Sequence, residues 1–267
     1  MSGQRELFDA IHDKYYEATT DRFAMEYKIH HVLEPIDRLL KPGTKSVVEL
    51  ACGNGSTGRW LKQRRPDIRI VGIDISEKSA QDYERATGSP CHVADFTKPF
   101  DIHEQFDAAI ACGGIHHFVA DLDVAFANIR RLLRPGGSLI MAEPNADYFL
   151  QPIRALWYRL DRKNFEASTE RALSHDALLK QFSPYFRCES VVYKGGPGTL
   201  LILQNWALRI PQSWKRWYAR PLMAFDRAWE WLPTKLPFNF FVAKWVMTPR
   251  EPLGGELAAS CSELRSC

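Results

Sequence analysis

The stretch that most constrains this chain is a short apolar run followed by three glycines. Val47–Leu50 is rich in β-branched residues and has the length of a buried strand. Gly53 and Gly55 come next, and glycine allows both a tight turn and a close approach of the backbone to a ligand. Gly58 would let the helical pattern that follows lie against the strand. The sequence therefore predicts a strand, a glycine loop and a helix in succession.

Two acidic residues indicate what this unit binds. The next apolar run ends at Asp74, about 20 residues after the loop, where a carboxylate can accept both hydroxyls of a ribose. The glycine spacing also fits a dinucleotide fingerprint, in which a helix N-terminus faces a pyrophosphate. Glu49 argues against that reading, because a carboxylate beside the loop repels a pyrophosphate and suits the ammonium group of a methionine. A plain structural turn is the remaining alternative.

These two segments resemble the nucleoside-binding half of the class I S-adenosylmethionine-dependent methyltransferases. The resemblance covers about residues 40–193 and the last predicted strand, and it implies S-adenosylmethionine as the cofactor. In such enzymes an acid after the third strand bonds the adenine amino group and its neighbour packs on the ring, which implies these roles for Asp95 and Phe96. A solvated strand-end acid is the alternative for Asp95. The cofactor contacts implied in this sequence are Glu49, Gly53, Gly55, Asp74, Ile75, Asp95, Phe96 and Cys112.

The same resemblance implies an α/β fold, a doubly wound, seven-stranded Rossmann-like sheet whose last strand is antiparallel. Apolar runs predict the strands at 47–50, 70–74, 91–96, 106–112, 138–143, 189–193 and 240–247. Residues 1–40 are expected to form N-terminal helices, where Tyr15 or Tyr16 lies near the cofactor or simply packs against the sheet. Residues 1–250 are interpreted as one methyltransferase domain, and the small, polar tail 251–267 is expected to be disordered.

The loop after the fourth predicted strand carries the candidates for a catalytic base. His116 and His117 follow the carboxyl end of that strand, which is the edge where open α/β sheets bind ligands. An imidazole titrates near neutrality and can take the proton of an acceptor hydroxyl. A structural histidine is the alternative for each. The six cysteines are scattered, with no CxxC pair and no Cys/His cluster, so no metal site is predicted.

A long aromatic insertion, residues 195–239, separates the sixth and seventh predicted strands, which a short hairpin turn could join. Six of the eight tryptophans fall within residues 206–245, among basic residues. Read as a helix, the insertion places seven side chains on one face, with Met223 and Trp231 opposite and Pro221 as a kink or a break. The seven are Trp214, Trp217, Tyr218, Leu222, Phe225, Trp229 and Leu232. Extra core, a lid over an apolar acceptor and a membrane-surface element all fit this pattern.

Composition and targeting signals narrow the function. A net charge of +3 is too small to imply nucleic acid, and no apolar signal region or bilayer-length run is present. A cytoplasmic protein is expected, peripheral at the inner face of an anionic membrane if the insertion contacts lipid. The predicted function is methyl transfer from S-adenosylmethionine to a small-molecule or lipid-linked acceptor, most simply at oxygen. The alternatives are a quinone-precursor C-methyltransferase and a non-catalytic cofactor-binding protein that acts through a partner.

Overall fold

The structure, a computed structural model, describes residues 16–248 apart from 18, 161–170, 206, 207 and 209. The predicted helix before Tyr16, Tyr15 itself and the predicted disordered tail lie outside the described residues. The strands are β1 (Ser46–Leu50), β2 (Arg69–Asp74), β3 (Cys91–Val93), β4 (Phe106–Cys112), β5 (Leu133–Pro144), β6 (Phe186–Lys194) and β7 (Phe240–Met247). They form one sheet in the order β3-β2-β1-β4-β5-β7-β6, in which β7 runs antiparallel to both neighbours. The predicted fold class is confirmed.

The helices connect these strands and cover both faces of the sheet. They are α1 (Arg22–Lys28), α2 (Glu34–Leu39), α3 (Ser56–Arg64), α4 (Glu77–Thr87), α5 (Leu122–Leu132), α6 (Gln151–Leu160), α7 (His175–Phe182) and α8 (Lys215–Trp229). A π-helical turn, Ile29–Leu33, joins α1 to α2. Capping follows local sequence at α4, where the Ser76 hydroxyl accepts the Ser79 N–H and Gly88 ends the helix with a φ of 62°.

The central strand divides the core between the two faces of the sheet. All five residues of β1 are buried, and successive side chains point to opposite faces. Val48 and Leu50 join a cluster that includes Phe126 of α5, whereas Val47 joins one that includes Ile36 of α2. Helix α2 therefore packs its apolar side chains against one face of the sheet.

Two predicted strand bounds were wrong. Strand β3 ends at Val93 rather than at Phe96, because Asp95 Oδ1 accepts both the N–H (3.0 Å) and the hydroxyl (2.7 Å) of Thr97 and so forms a turn. Strand β5 starts at Leu133 rather than at residue 138.

The insertion lies at the carboxyl edge of the parallel strands. It leaves the end of β6 and returns at Phe240, which pairs with Pro144 at the carboxyl end of β5. The long helix of the insertion, α8, contains Pro221 in its interior without being divided. Its position brings the insertion to the edge where ligands of open α/β sheets bind.

The buried face of α8 differs from the predicted one. Lys215, Ala219, Met223 and Asp226 are buried, and only part of the predicted aromatic face is half-buried. Lys215 pairs with Asp21 at the start of α1. The Asp226 carboxylate accepts a hydrogen bond from the Tyr27 hydroxyl at 2.6 Å, and its pKa is raised because it is buried. Polar partners on α1 therefore select the inward side of α8, which apolar periodicity does not anticipate.

Phe126 tests the core on the α5 face. Its ring stacks on Phe182 with centroids 3.8 Å apart, and its side chain is 1% exposed. We expect Phe126→Ala to lower the free energy of unfolding by about 3–5 kcal/mol, because it leaves a cavity among fixed neighbours. Denaturant unfolding measures the change. The control Phe149→Ala removes a ring that is 56% exposed and should cost about 0.5 kcal/mol or less; equal losses would contradict this packing.

Candidate active site

Four acidic residues stand at the carboxyl ends of parallel strands and face one edge of the sheet. Glu49 lies near the end of β1, Asp74 ends β2, Asp95 follows β3, and Glu143 lies near the end of β5. Parallel strands end at the same edge, so the topology brings these groups and the loops between them together. Three of the four were predicted from the sequence. Glu143 was not, although it occupies the same kind of position at the end of an apolar run.

The glycine loop has the backbone that its composition predicts. Ala51, Gly53 and Gly55 have φ values of 48°, 54° and 75°, a region that glycine adopts without steric cost. Asp74 Oδ2 accepts the Gly53 N–H at 2.9 Å, and Asp74 Oδ1 accepts the Ser76 N–H at 3.0 Å. The carboxylate that was predicted to hold a ribose therefore also ties the loop to β2.

The N-terminal helices cover this loop. A Cβ at Gly53 would overlap the Tyr16 hydroxyl, so the tyrosine lies directly over the loop. Lys28 Nζ donates to the Ser56 hydroxyl at 3.0 Å, at the start of α3. Gly58 is needed for the predicted close approach of helix and strand, since a Cβ there would stand 2.8 Å from Glu49 Oε2.

Glu49 is a buried carboxyl group whose surroundings favour pairing with a cation. Its side chain is 2% exposed, and burial raises its pKa to about 8, while the nearby Lys28 charge opposes this rise. Among the described residues, none makes a hydrogen bond to Glu49 Oε2 that meets ordinary geometry, although Thr57 and the Gly58 backbone lie close to the carboxyl group and also oppose the rise in its pKa. A buried carboxylate oxygen in this state gains from an ammonium partner. The site therefore fits the methionine end of S-adenosylmethionine.

The remaining predicted cofactor residues surround the same edge. Ile75 follows Asp74 directly and is half-buried, and Cys112 ends β4. Burial raises the pKa of the Cys112 thiol to about 12, so this side chain is neutral. The Phe96 ring is 3% exposed and stacks on Phe118 with centroids 4.9 Å apart. The adenine-facing roles of Asp95 and Phe96 stay predictions, and the Phe96 ring itself lies within the core.

Glu143 organises the loop that carries the candidate base. Its side chain is fully buried, and its Oε1 accepts the N–H groups of Gly114 (3.0 Å) and Ile115 (2.8 Å). Its Oε2 lies 3.3 Å from the His116 N–H and 2.8 Å from His116 Nδ1. One carboxylate therefore holds both the backbone of this loop and the imidazole on it.

This contact distinguishes the two histidines. An ionised carboxylate only accepts hydrogen bonds, so we assign the imidazole proton of His116 to Nδ1 and its lone pair to Nε2. That arrangement is the one a general base requires. His117 lies beside it, with the two ring centroids 3.9 Å apart. Among the described residues, no group of three or more His, Cys, Asp or Glu side chains is placed to hold a metal ion.

Comparison with known proteins agrees with the fold. Residues 48–139 match the family model of a methyltransferase domain. The chain is 27% identical to demethylmenaquinone methyltransferase of Thermotoga maritima over 57% of its length and 68% of the relative. It is 30% identical to trans-aconitate 2-methyltransferase of Acidovorax sp. (strain JS42) over 51% of each chain. The chain spans about half the length of most curated relatives it matches.

The solved structures agree at the level of the fold. Phosphoethanolamine N-methyltransferase 2 of Haemonchus contortus, in complex with S-adenosyl-L-methionine, superposes with a TM-score of 0.59 at 14% identity, covering 92% of this chain and 60% of that one. The methyltransferase-domain match and these relatives support a class I S-adenosylmethionine-dependent methyltransferase, a family whose cofactor is S-adenosylmethionine.

Glu49 gives a prediction that does not depend on turnover. With a pKa of about 8, its carboxyl group holds a proton near neutral pH and should lose it on pairing with the cofactor's ammonium group. We expect S-adenosylmethionine binding to release a proton, and Glu49→Gln to abolish the release. Titration calorimetry in two buffers of different ionisation enthalpy measures it. Equal proton release by both proteins would remove Glu49 from the site.

The pH dependence of stability is the control for this experiment. The folded pKa of Glu49 lies above its ordinary value of 4.5, so the cofactor-free folded protein binds this proton more tightly than the unfolded chain. The contribution to the free energy of unfolding is therefore present below about pH 4.5 and is lost as pH rises towards about 8. In Glu49→Gln this loss should be missing.

Proposed function

We propose that this protein transfers the methyl group of S-adenosylmethionine to an oxygen of a small-molecule acceptor, with His116 as the general base. The observation that carries the proposal is the 2.8 Å contact between His116 Nδ1 and the buried Glu143 carboxylate. It fixes the orientation of an imidazole at the edge of the sheet that also holds the predicted cofactor residues. A positioned base of this kind suits an acceptor that must lose a proton.

Each residue then has a separate task. When bound, S-adenosylmethionine supplies an electrophilic methyl group. Glu49 pairs with the cofactor's ammonium, and Asp74 holds both the glycine loop and the ribose hydroxyls. His116 Nε2 takes the proton of the acceptor hydroxyl as the oxygen attacks. Glu143 keeps the imidazole oriented and stabilises its positive charge, so it is a positioning residue.

The relatives support a small acceptor without deciding the atom. Two of them are named for a quinone precursor, demethylmenaquinone, and for a small acid, trans-aconitate. The quinone name favours the alternative of methylation at a ring carbon. Mass spectrometry of the methylated product, with the attachment atom located by fragmentation or NMR, separates the two. A carbon-bound methyl would overturn the oxygen assignment.

A lipid-linked acceptor is the form of the proposal that the surface of the protein supports. The insertion and α6 both lie beyond strand ends at the ligand edge and expose large apolar side chains. An acceptor carried on a lipid would meet the site at that edge, with the protein peripheral at the inner face of the membrane. The non-catalytic alternative predicts that S-adenosylmethionine binds but that no acceptor from the native host is methylated.

Separate substitution of the two histidines tests the base. We expect His116→Gln to lower turnover by about 10²–10⁴-fold, the usual contribution of a general base, with little change in S-adenosylmethionine affinity. His117→Gln is the matched control and should keep most of the activity, because His116 is the one held by Glu143. Single-turnover rates, with an acceptor that the unaltered protein methylates, measure turnover. Calorimetry measures the S-adenosylmethionine affinity. Full activity in His116→Gln would leave positioning of the substrates as the mechanism.

Glu143→Gln tests the positioning role. The amide oxygen can still accept the Gly114 and Ile115 N–H groups, but its NH₂ group would then face His116 Nδ1. That group donates to Nδ1 and moves the imidazole proton to Nε2, which removes the base. We expect a loss of turnover of about 10²–10⁴-fold without loss of cofactor affinity. An unchanged rate and pH profile would contradict the assigned orientation.

A further inference from the structure

Two helices at the ligand edge have a reversed pattern, with polar groups inside and apolar groups outside. In α6, Arg154 is buried and donates to the carbonyl oxygens of Asn145 (2.7 Å) and Asn239 (3.2 Å). On its outer side, Ile153 and Leu160 are 63% and 75% exposed. Leu156, between them in the helical repeat, is exposed as well. A helix that buries a guanidinium and exposes aliphatic side chains is the opposite of an ordinary surface helix.

Helix α8 shows the same reversal. It buries Lys215 and Asp226 and exposes Trp217 by 72% and Phe225 by 48%. Trp214, just before the helix, is 59% exposed. At 3.6 residues per turn, these aromatic side chains share one outward stripe. We call the exposed side chains of Ile153, Leu156, Leu160, Trp214, Trp217 and Phe225 the apolar face.

The segment between α8 and β7 connects the two halves of the apolar face. The Phe149 N–H donates to the Leu236 carbonyl at 2.9 Å, next to the start of α6. Trp229 Nε1, at the end of α8, donates to the Pro237 carbonyl at 3.2 Å. Trp231, in this segment, is 89% exposed. Hydrogen bonds therefore tie the segment between α8 and β7 to α8 and to the start of α6. The segment itself exposes the Trp231 indole.

The exposed charges of α8 and of the described part of α6 are basic. Arg216, Arg220 and Arg227 of α8 are exposed and lie in a stripe beside the aromatic one. The two acids at the end of α8, Asp226 and Glu230, turn inward: the first bonds Tyr27, and the second lies 2.6 Å from His31 Nδ1 and also pairs with Lys194. Two further acids, Asp147 and Asp176, pair with Lys235 in the segment between α8 and β7. Within α6 as described, the one exposed charge is also basic, Arg159.

We propose that the apolar face and its arginine stripe dock on an anionic lipid surface. Aromatic and aliphatic side chains enter the headgroup–acyl boundary, and flanking arginines pair with lipid phosphates. Among the described residues, no helix is long and apolar enough to cross a bilayer, so the contact is interfacial. The face lies on the ligand edge of the sheet, where a lipid-linked acceptor would arrive. The docking itself does not rest on the proposed methyl transfer.

Flotation of the full chain with vesicles tests this surface. The probes are phosphatidylcholine vesicles and vesicles of equal parts phosphatidylcholine and phosphatidylglycerol, at about 0.1 M and about 1 M salt. We expect binding to the anionic vesicles that weakens with salt. The combined Arg216→Gln, Arg220→Gln and Arg227→Gln variant should lose about a hundredfold in partition coefficient. The control variant Arg85→Gln, Arg131→Gln and Arg187→Gln makes the same charge change on other exposed positions and should change it only several-fold.

A second pair of variants tests the apolar contribution. Leu156→Ser with Trp217→Ser should lower partitioning by about tenfold or more, because both side chains would otherwise be buried in the interface. Val93→Ser with Val192→Ser removes exposed side chains from β3 and β6 and should have little effect. Unfolding free energy and S-adenosylmethionine affinity should be unchanged in all variants, which separates this test from the methyltransferase proposal.

Three outcomes would overturn the proposal. The protein could remain unbound on anionic vesicles at low salt. Both arginine variants could lose binding equally, which would leave only net charge as the cause. Light scattering could show a self-associated protein that Leu156→Ser with Trp217→Ser converts to a monomer without any lipid effect. The apolar face would then be an interface between two copies of the chain.

Discussion

Buried carboxylates at the ends of parallel strands are the interaction on which this site depends. Asp74 holds the Gly53 N–H, and Glu143 holds three consecutive backbone N–H groups and an imidazole. A buried carboxylate is costly unless donors surround it, so each acid stabilises one arrangement of the loop beside it. The loops that approach cofactor and acceptor are consequently shaped before either molecule arrives. Glu49 differs from Asp74 and Glu143, because its Oε2 makes no hydrogen bond within the described structure.

The helices above this edge are held together by polar side-chain pairs. Helices α1 and α8 meet through polar pairs, Asp21 with Lys215, Tyr27 with Asp226 and His31 with Glu230. Because these pairs turn inward, Trp217 and the arginines of α8 turn outward, while Trp229 is half-buried. The same contacts that fix the insertion above the sheet therefore create the exposed apolar face. The position of the insertion above the sheet and its exposed apolar face both follow from the orientation of α8.

Apolar patterning predicted much of the fold because strand burial leaves a direct trace in sequence. Strands β4 and β7 have the predicted bounds, and the strand-end acids and glycine loop follow from local chemistry. Where polar side chains rearrange the backbone, prediction failed: Asp95 closes a turn and shortens β3. The aromatic stripe of α8 was assigned to one face, and apolar periodicity cannot show that buried ion pairs reverse it.

The sequence by itself determined the sheet, the cofactor class and the edge at which ligands bind, since these depend on residues close together along the chain. Tertiary structure alone decided which histidine a buried carboxylate holds, because Glu143 lies 27 residues from His116 and reaches it only through the pairing of β4 with β5. It also decided the outward side of α8, because the partners of its buried charges lie nearly 200 residues away on α1. Contacts of that separation are set by topology, and no local pattern encodes them.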